Sequence, residues 1–371
     1  MSAAPKDNLK RVKRAAGTSL LRWFSRHQRD LPWRRNRTAY RVWVSELMLQ
    51  QTRADQALPY YTSFMKRFPS LRALAEAPRA DVLKQWEGLG YYARARRAHE
   101  TAKFLTKHKA GRFPRTYDAL LELPGVGPYT AAAIASFCFG EDVAVLDGNV
   151  IRVLSRLLAY DNDVTSTSAK KDLLAWAHAI LPRGRSAEFN EAVMELGALI
   201  CSPRKPSCET CPMRRVCSAY EGGDPTPYPV KKKRGRVPHK IVGAGVVVNS
   251  RGQVLIAQRR DGDMLGGLWE FPGGKLEKGE TMAACIAREL DEELGIRTKV
   301  GERLTVVDHA FSHFTMELHA HWARIIKGRP KKIGCEDYAW VSVKEMRSYP
   351  FPRADIKIIE VLEESGVKRN P

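Results

Sequence analysis

Three glutamates in the last third of the chain form a candidate metal site. In the stretch FPGGKLEKGETMAACIARELDEELGI, Glu289, Glu292 and Glu293 are spaced i, i+3 and i+4, so a helix places them on one face. Carboxylates on one face can hold Mg²⁺ against a diphosphate. Gly274 lets the backbone come close, and Arg288 can orient the glutamates or contact phosphate. For the glutamates alone, an acidic amphipathic helix without metal is the simpler interpretation.

Four cysteines form a second group with metal-ligand chemistry. Cys201, Cys208, Cys211 and Cys217 give the spacing C-x6-C-x2-C-x5-C. Thiolates in so short a loop can surround one metal centre, and soft sulfur ligands favour zinc or an iron–sulfur cluster. Spacing alone leaves both open. The chain shows no secretory signal, which argues against a disulfide framework.

Two carboxylates in the first half of the chain stand in contrasting contexts. Glu46 lies among Trp43, Leu47 and Met48, and apolar surroundings raise the pKa of a carboxyl group so that it can stay protonated near neutrality. Asp147 directly precedes a helical segment, where capping the helix is its default role.

A Gly-x-Gly turn, Gly125 and Gly127 in LPGVGPYTAAAIASF, opens a helix of small residues. Glycines at a helix N-terminus let backbone N–H groups approach a phosphate closely.

These groups must be positioned by two kinds of structure. From about residue 20 to 219 the pattern is helical, and residues 221–240 have the Pro-, Gly- and Lys/Arg-rich composition of a linker. After it, IVGAGVVV, QVLIAQR, TMELHAHWARI and YAWVSV predict strands, and residues 281–294 predict a helix. The sequence therefore predicts an all-α domain over 1–220 and an α/β domain over 241–371.

Charge divides the chain in the same way. The 371 residues are 44% hydrophobic and 28% charged, which is typical of globular domains. Of the net charge of +21, the first 240 residues contribute 42 basic against 22 acidic side chains, whereas the rest is nearly balanced at 20 against 19. A basic body of this kind suits contact with phosphates. No apolar run is long enough to cross a membrane, and we expect a cytoplasmic, nucleoid-associated monomer of bacterial type.

Several motifs stand together in one order along the chain. LPWR, WVSELMLQQT, EGLGYYARAR, LPGVGPYTA, LDGNVIRVLSR and the cysteine loop 201–217 are followed by the linker and the glutamate helix. This succession resembles adenine DNA glycosylases of the MutY type, with a helix-hairpin-helix domain, a [4Fe–4S] cluster on the four cysteines and a C-terminal MutT-like (Nudix) domain. The resemblance covers nearly the whole chain. It implies base excision repair of adenine mispaired with 8-oxoguanine in double-stranded DNA.

The resemblance also implies catalytic roles. Glu46 would protonate the departing purine, and Asp147 would stabilise the oxocarbenium-like sugar or attack it transiently. Tyr129 stands where bifunctional relatives carry a lysine nucleophile, so cleavage without Schiff-base chemistry is expected. Tyr129 and Asn149 would line the catalytic site.

DNA contacts are implied at both ends of the chain. Gln51 and Tyr91 would enter the helix near the lesion while adenine flips out. In such enzymes the C-terminal domain inspects the oxidised guanine, and HAFSHF matches the hairpin that does so. Phe311, Ser312 and His313 are therefore candidates for reading the base edge.

The glutamate helix fits the complete Nudix pattern G-x5-E-x7-R-E-U-x-E-E-x-G-U, where U is aliphatic. Many relatives have lost this box while keeping the domain. Its retention raises the hypothesis of a second, Mg²⁺-dependent activity on 8-oxo-dGTP, and the alternative is a retained scaffold that only reads the lesion. YPFPRAD resembles the segment that holds the oxidised base in MutT, and Asp355 stands where MutT has asparagine.

Three alternatives remain open at this point. The first is a glycosylase for thymine or oxidised pyrimidines, which would share the fold and the cluster. The second is a non-catalytic DNA-binding or redox-sensing module, and the third is an enzyme that mainly hydrolyses nucleotides.

Overall fold

The computed structural model describes residues 6–232, 235, 237–311 and 313–367. The chain divides into two compact units. The first comprises Met1–Ala75 and Glu100–Lys233, and the second comprises Glu76–His99 and Arg234–Pro371. The short segment Glu76–His99 thus leaves the helical region and joins the C-terminal unit. The domain limits given above stay a prediction.

The region before the linker is helical, as the sequence predicted. Its helices are α1 (Lys6–Ala15), α2 (Leu21–His27), α3 (Pro32–Arg35), α4 (Ala39–Leu49), α5 (Ala54–Arg67), α6 (Leu71–Glu76), α7 (Arg79–Gln85), α8 (Ala93–His108), α9 (Tyr117–Leu121), α10 (Pro128–Phe139), α11 (Gly148–Leu157), α12 (Thr167–Ile180), α13 (Ser186–Leu199) and α14 (Ser218–Glu221). A π-helical turn, Ala16–Leu20, joins α1 to α2, and 3₁₀ turns lie at Cys208–Thr210 and Arg214–Val216.

The alanine-rich helix α10 lies at the centre of the first unit. Its residues 130–136 are all buried, because small side chains let neighbouring helices approach closely. The helix ends at Gly140, whose φ of 69° is a left-handed conformation that glycine adopts without strain. Helices α4, α9 and α13 pack against α10. The carboxylate-bearing helix α4 is therefore held against the helix that follows the Gly-x-Gly turn.

The second unit contains two sheets. The strands are β1 (His239–Val247), β2 (Val254–Gln258), β3 (Trp269–Glu270), β4 (Gly273–Lys275), β5 (Arg297–Ala310), β6 (Thr315–Lys327) and β7 (Asp337–Val341). One sheet has the order β4-β1-β6-β5 and the other β3-β2-β7. β1 and β6 are parallel, and the other pairs are antiparallel. This arrangement confirms the predicted α/β class.

Helices α15 (Met282–Leu294), α16 (Val343–Met346) and α17 (Arg353–Ser365) complete the second unit. One core cluster joins Ile286 and Leu290 of α15 to β1 and β2, and another joins Ile358 of α17 to β1 and β6. Gly243 faces α15, since a Cβ there would lie 2.7 Å from the Ile286 side chain. The glutamate helix predicted at 281–294 is confirmed as α15.

No helix in the described part of the chain is long and apolar enough to cross a membrane.

Candidate active site

Glu46 is a buried carboxylate in the first unit. It lies on α4, which begins where the Thr38 side chain accepts a hydrogen bond from the Arg41 N–H. The Glu46 side chain is only 3% exposed. The Tyr129 hydroxyl, from the first turn of α10, donates to Glu46 Oε2. The structure therefore brings together two of the four predicted catalytic residues.

The surroundings of Glu46 favour a carboxyl group that holds its proton near neutral pH. Burial raises its pKa to about 7, and the hydrogen bond from Tyr129 opposes this effect. The negative charges of Asp147 and Glu191 raise the pKa further, whereas Arg34 lowers it. Tyr129 stays protonated, because burial and the charge of Glu46 raise its pKa well above the usual value.

Asp147 is both the N-cap of α11 and a member of this site. Its Oδ1 accepts from the Val150 N–H at 2.7 Å, and its Oδ2 accepts from Asn149 Nδ2 at 3.1 Å. Burial raises its pKa, while these two hydrogen bonds and Arg152 lower it. The capping role given to Asp147 as a default is thus real, and the negative charge of the same carboxylate raises the pKa of Glu46.

Asn149 is held from two sides. Arg152 Nη2 donates to Asn149 Oδ1 at 2.8 Å and to the Gly197 carbonyl at 2.7 Å. A Cβ at Gly197 would lie 2.6 Å from the Asn149 Cβ, so only glycine lets α13 pass this close. Arg152 Nε also donates to the Cys201 carbonyl at 2.7 Å. Neither Arg152 nor Gly197 was singled out from the sequence.

A network of arginines and glutamates, also missed from the sequence, lies beside Glu46. Arg34 contacts Glu191 at 3.2 Å and Glu195 at 3.0 Å, and Arg29 contacts Glu195 at 2.9 Å. Although burial opposes it, hydrogen bonds from Arg29 and Arg34 hold the pKa of Glu195 at about 2. The motif LPWR contained Arg34, but its partners lie 157 and 161 residues away, beyond the reach of a local pattern.

The two side chains expected to enter DNA have strained backbones. Gln51 has φ 59° and Tyr91 has φ 51°, a left-handed region that residues with bulky side chains rarely adopt. Such conformations cost about 1–3 kcal/mol and cluster at functional sites. Tyr91 is 42% exposed. Gly125 has φ 75°, and Gly127 caps α10 with open space where a Cβ would stand.

The four cysteines line one pocket. Arg156, which is 1% exposed, reaches Cys201 Sγ from Nη1 at 3.3 Å. Desolvation raises the pKa of Cys211 to about 12, with the neighbouring thiols adding to it. Over the described residues, no three His, Cys, Asp or Glu side chains converge as a single metal ion requires. Four cysteine side chains line this pocket with a guanidinium beside them, and soft sulfur ligands suit either zinc or an iron–sulfur cluster.

In the second unit the Nudix residues lie together. Arg288 contacts Glu280 at 3.0 Å, Glu289 at 2.9 Å and Glu292 at 3.1 Å. A Cβ at Gly274 would lie 2.2 Å from the Glu289 carboxylate, so the glycine loop and this glutamate share one small space.

Glu293 differs from the other two glutamates of the box. Its Oε2 is buried with no hydrogen-bond partner in the part of the chain that the structure describes. Burial, followed by the charges of Glu270 and Glu289, raises the pKa of Glu293 to about 8. An unpartnered buried carboxylate oxygen is a costly feature that a cation would relieve.

Asp355 lies in the first turn of α17 and is 7% exposed. Its Oδ1 accepts from the Phe271 N–H at 3.1 Å. Burial raises its pKa to about 8, and the charge of Glu270 adds to the effect. We therefore expect a protonated Asp355, which can donate a hydrogen bond as well as accept one.

The segment HAFSHF lies at the turn of the hairpin between β5 and β6. Ala310 pairs with Thr315, and the Phe311 N–H donates to the Phe314 carbonyl at 2.8 Å. The Phe311 and Phe314 rings stack at 4.5 Å, and the His313 ring lies edge-on to Phe314 at 5.1 Å. Ser312 lies outside the described residues.

Comparison with known families assigns both halves of the chain. The family described as HhH-GPD superfamily base excision DNA repair protein matches residues 44–178, and the NUDIX domain family matches residues 243–361. An adenine DNA glycosylase of Rattus norvegicus is 34% identical and covers 93% of this chain and 77% of its own. Another, from Buchnera aphidicola subsp. Schizaphis graminum, is 31% identical and covers 93% and 97%.

Solved structures agree with the fold of the first half. A thermostable thymine-DNA glycosylase has 31% identity and a TM-score of 0.52, over 57% of this chain and 98% of its own. A trapped endonuclease III–DNA covalent intermediate has 19% identity and a TM-score of 0.50, over 58% and 97%, and shows the fold alone.

Proposed function

Because this chain belongs to the adenine DNA glycosylase family of base excision repair, we propose that it removes adenine paired with 8-oxoguanine and stops after base release. The observation that carries the proposal is the buried Glu46 carboxyl, which has a pKa of about 7, bonds to Tyr129 and lies in the field of Asp147. Glycosidic cleavage needs an acid and a nearby anion, and this pair supplies both.

The reaction begins with a flipped-out adenine. Glu46 gives its proton to a ring nitrogen of the base, the bond between C1′ and N9 breaks, and its electrons leave with the adenine. The Asp147 carboxylate, held by Asn149 and the Val150 N–H, stabilises the positive sugar. The Glu46 carboxylate then takes a proton from the water that attacks C1′. Proton and charge balance at the end of the cycle.

Tyr129 supports a monofunctional reaction. Its side chain is a phenol and not an amine, so it cannot form a Schiff base. The phenol keeps its proton and donates a hydrogen bond to Glu46. Borohydride should therefore trap no covalent complex of the protein with DNA during base release. A trapped complex would contradict the monofunctional proposal.

The lesion-reading role of the C-terminal unit is supported by the half-buried Phe311, which stacks on the buried Phe314, and by the exposed His313 ring at the same hairpin turn. The test is a panel of duplexes with 8-oxoguanine:A, G:A and G:T, read as single-turnover base release. We expect 8-oxoguanine:A to react fastest and G:T to yield no thymine. Faster thymine release would overturn the proposal in favour of a pyrimidine glycosylase.

The cysteines Cys201, Cys208, Cys211 and Cys217 would hold a [4Fe–4S] cluster in this family setting, and the cluster would fix the loop beside Arg156. We expect about four iron atoms per protein by metal analysis. Cys211→Ser should lower this content, whereas the isolated Cys138→Ser should leave it unchanged. One zinc per protein and no iron would contradict the assignment.

A second candidate function is Mg²⁺-dependent hydrolysis of 8-oxo-dGTP, favoured by the unpartnered Oε2 of Glu293. Glu289, Glu292 and Glu293 would hold the ion, since hard carboxylate oxygens are its preferred protein ligands. Mg²⁺ supplies charge stabilisation of the diphosphate when bound. Asp355, protonated and beside Phe271, is our candidate for the contact with the base.

The test is release of monophosphate and pyrophosphate from 8-oxo-dGTP and dGTP with Mg²⁺, comparing the wild type with the double variant E292Q–E293Q. Release that disappears in the variant supports a second active site. Equal release by both proteins, or none by either, would leave the C-terminal unit as a reader of the lesion only.

A further inference from the structure

The segment Glu76–His99 is an excursion of the helical region into the C-terminal unit. It carries Tyr91, for which the family resemblance implies insertion into the DNA near the lesion. This loop has three positive φ angles within four residues: Gly88 at 87°, Gly90 at 79° and Tyr91 at 51°. A backbone of this kind persists only where its surroundings hold it.

The backbone N–H and carbonyl of Phe351, a residue of the C-terminal unit, both bind this loop. The Phe351 N–H donates to Glu87 Oε1 at 2.8 Å, and the Phe351 carbonyl accepts from the Tyr92 hydroxyl at 3.1 Å. The Tyr92 oxygen also accepts from the Gly88 N–H at 3.1 Å. Lys84 binds Glu87 Oε2 at 2.7 Å and the Tyr349 carbonyl at 2.9 Å.

These contacts lie on both sides of Tyr91 in sequence. Glu87 and Gly88 precede it, Tyr92 follows it, and Tyr92 is 4% exposed. The loop is closed on its other side by Arg94, whose N–H donates to the Tyr91 carbonyl at 2.9 Å and whose Nη2 donates to the Gly90 carbonyl at 3.0 Å. The guanidinium of Arg94 stands 5.2 Å from the Tyr91 ring centroid.

Two further contacts lie near the two ends of the segment. Arg96 Nη1 donates to the Gly266 carbonyl at 2.7 Å, and Arg79 pairs with Asp261. The segment is therefore bound to the rest of the C-terminal unit at the Tyr91 loop and near both of its ends.

We propose that Glu87 and Tyr92 are positioning residues, through which the backbone of Phe351 in the C-terminal unit sets the conformation in which Tyr91 is presented to DNA. Reading of the lesion and insertion of Tyr91 then depend on one rigid piece of structure. This inference rests on the proposed preference for 8-oxoguanine:A. It predicts that loss of the Tyr92 hydroxyl lowers lesion discrimination in a protein that stays folded.

The experiment is a double-mutant cycle on the full-length protein with its metal centre intact. Single-turnover adenine release is measured on 8-oxoguanine:A and G:A duplexes for the wild type, Y92F, Y91A and Y91A–Y92F. Y92F should lower the ratio of the two rates about threefold to tenfold, and it should lower it no further in the Y91A background, because both changes act through one loop. The matched control is Y160F, which removes a phenol hydrogen bond to Asp172 in the first unit and should leave the ratio unchanged.

Two further readouts separate positioning from general damage. Fluorescence of 2-aminopurine placed beside 8-oxoguanine should show unstacking with the wild type and weaker unstacking with Y92F. E87Q keeps an oxygen for the Phe351 N–H and should retain more discrimination than E87A. Equal fractional losses from Y92F in the wild-type and Y91A backgrounds, or an unchanged ratio, would overturn the proposal. A wild type with no preference for 8-oxoguanine:A would overturn the proposed function itself.

Discussion

Glu46 in the first unit and Glu293 in the second are buried glutamates with raised pKa values, about 7 and about 8, and burial is the main cause for both. Their partners differ. Glu46 accepts a hydrogen bond from Tyr129, whereas Glu293 keeps a buried oxygen with no partner in the described residues. Burial favours the protonated form of both carboxyl groups, and their different hydrogen-bond partners suit them to different chemistry.

The comparison extends to the second anion of each site. Asp147 is already held by Asn149 and by the Val150 N–H, so the first site is assembled before DNA binds. Glu289 and Glu292 are instead paired with Arg288. The first site is prepared to move a proton, and the second is an acidic group balanced by one arginine that a cation would have to reorganise.

The largest expected effect is that of E46Q on base release. The amide keeps the shape but has no acidic proton, so single-turnover adenine release should fall about 1,000-fold or more while duplex binding is retained. E188Q, on the exposed face of α13, is the matched control and should release adenine at the wild-type rate. Activity of E46Q within threefold of the wild type would remove Glu46 from its role.

E293Q should divide the two sites. The amide cannot give up a proton to become an anionic ligand of Mg²⁺, so nucleotide hydrolysis should fall at least about 100-fold while adenine release stays unaltered. E360Q, an exposed glutamate of α17, serves as the control. Nucleotide hydrolysis that survives E293Q would show that the two buried glutamates do not differ in the way described.

G197A sharpens the account of the first site without touching substrate. Its added Cβ would meet the Asn149 Cβ at 2.6 Å, so Asn149, which donates to Asp147, must shift. A small misplacement of this kind should slow adenine release about tenfold to 100-fold. G17A, whose Cβ would meet Pro182 at an ordinary 3.7 Å, should have no effect. Equal rates for both variants would mean that Asn149 does not support the reaction.

Y129F should have the smallest effect on the rate of adenine release, and the direction in which it shifts the pH–rate profile is diagnostic. The Tyr129 hydrogen bond lowers the pKa of Glu46, so its removal raises that pKa further. The protonated acid then survives to higher pH, and the alkaline limb of the pH–rate profile should move upward. The rate at neutral pH should fall about threefold to tenfold through lost orientation. A downward shift of the limb would contradict the hydrogen-bond assignment.

The helices, the Nudix helix and the strands with alternating or apolar patterns were predictable because their signal is local. β5, Arg297–Ala310, was not predicted: it is rich in charge, one of its residues is fully buried, and three register shifts against β6 interrupt its period of two. Helix α17 was not predicted either, although its first turn had been noted for Asp355. Its buried Ala354, Ile358 and Leu362 are spaced four residues apart, a helical period that the sequence already contained.

The candidate sites divide in the same way. Motifs named Glu46, Asp147 and Tyr129, because their chemistry lies within short stretches. Contacts that join distant stretches were invisible, including Arg34 with Glu191 and Gly197 with Asn149. The attachment of the Tyr91 loop to Phe351 spans more than 250 residues and belongs to the same class.

The measurement that tests the central claim most directly is the pH dependence of single-turnover adenine release from an 8-oxoguanine:A duplex. Burial raises the pKa of Glu46 to about 7. Tyr129 and Arg34 lower this pKa, and the charges of Asp147 and Glu191 raise it. If protonated Glu46 is the acid, the rate should be level below that pH and fall about tenfold for each pH unit above it. A rate that stays level from pH 6 to 9 would contradict Glu46 as the proton donor.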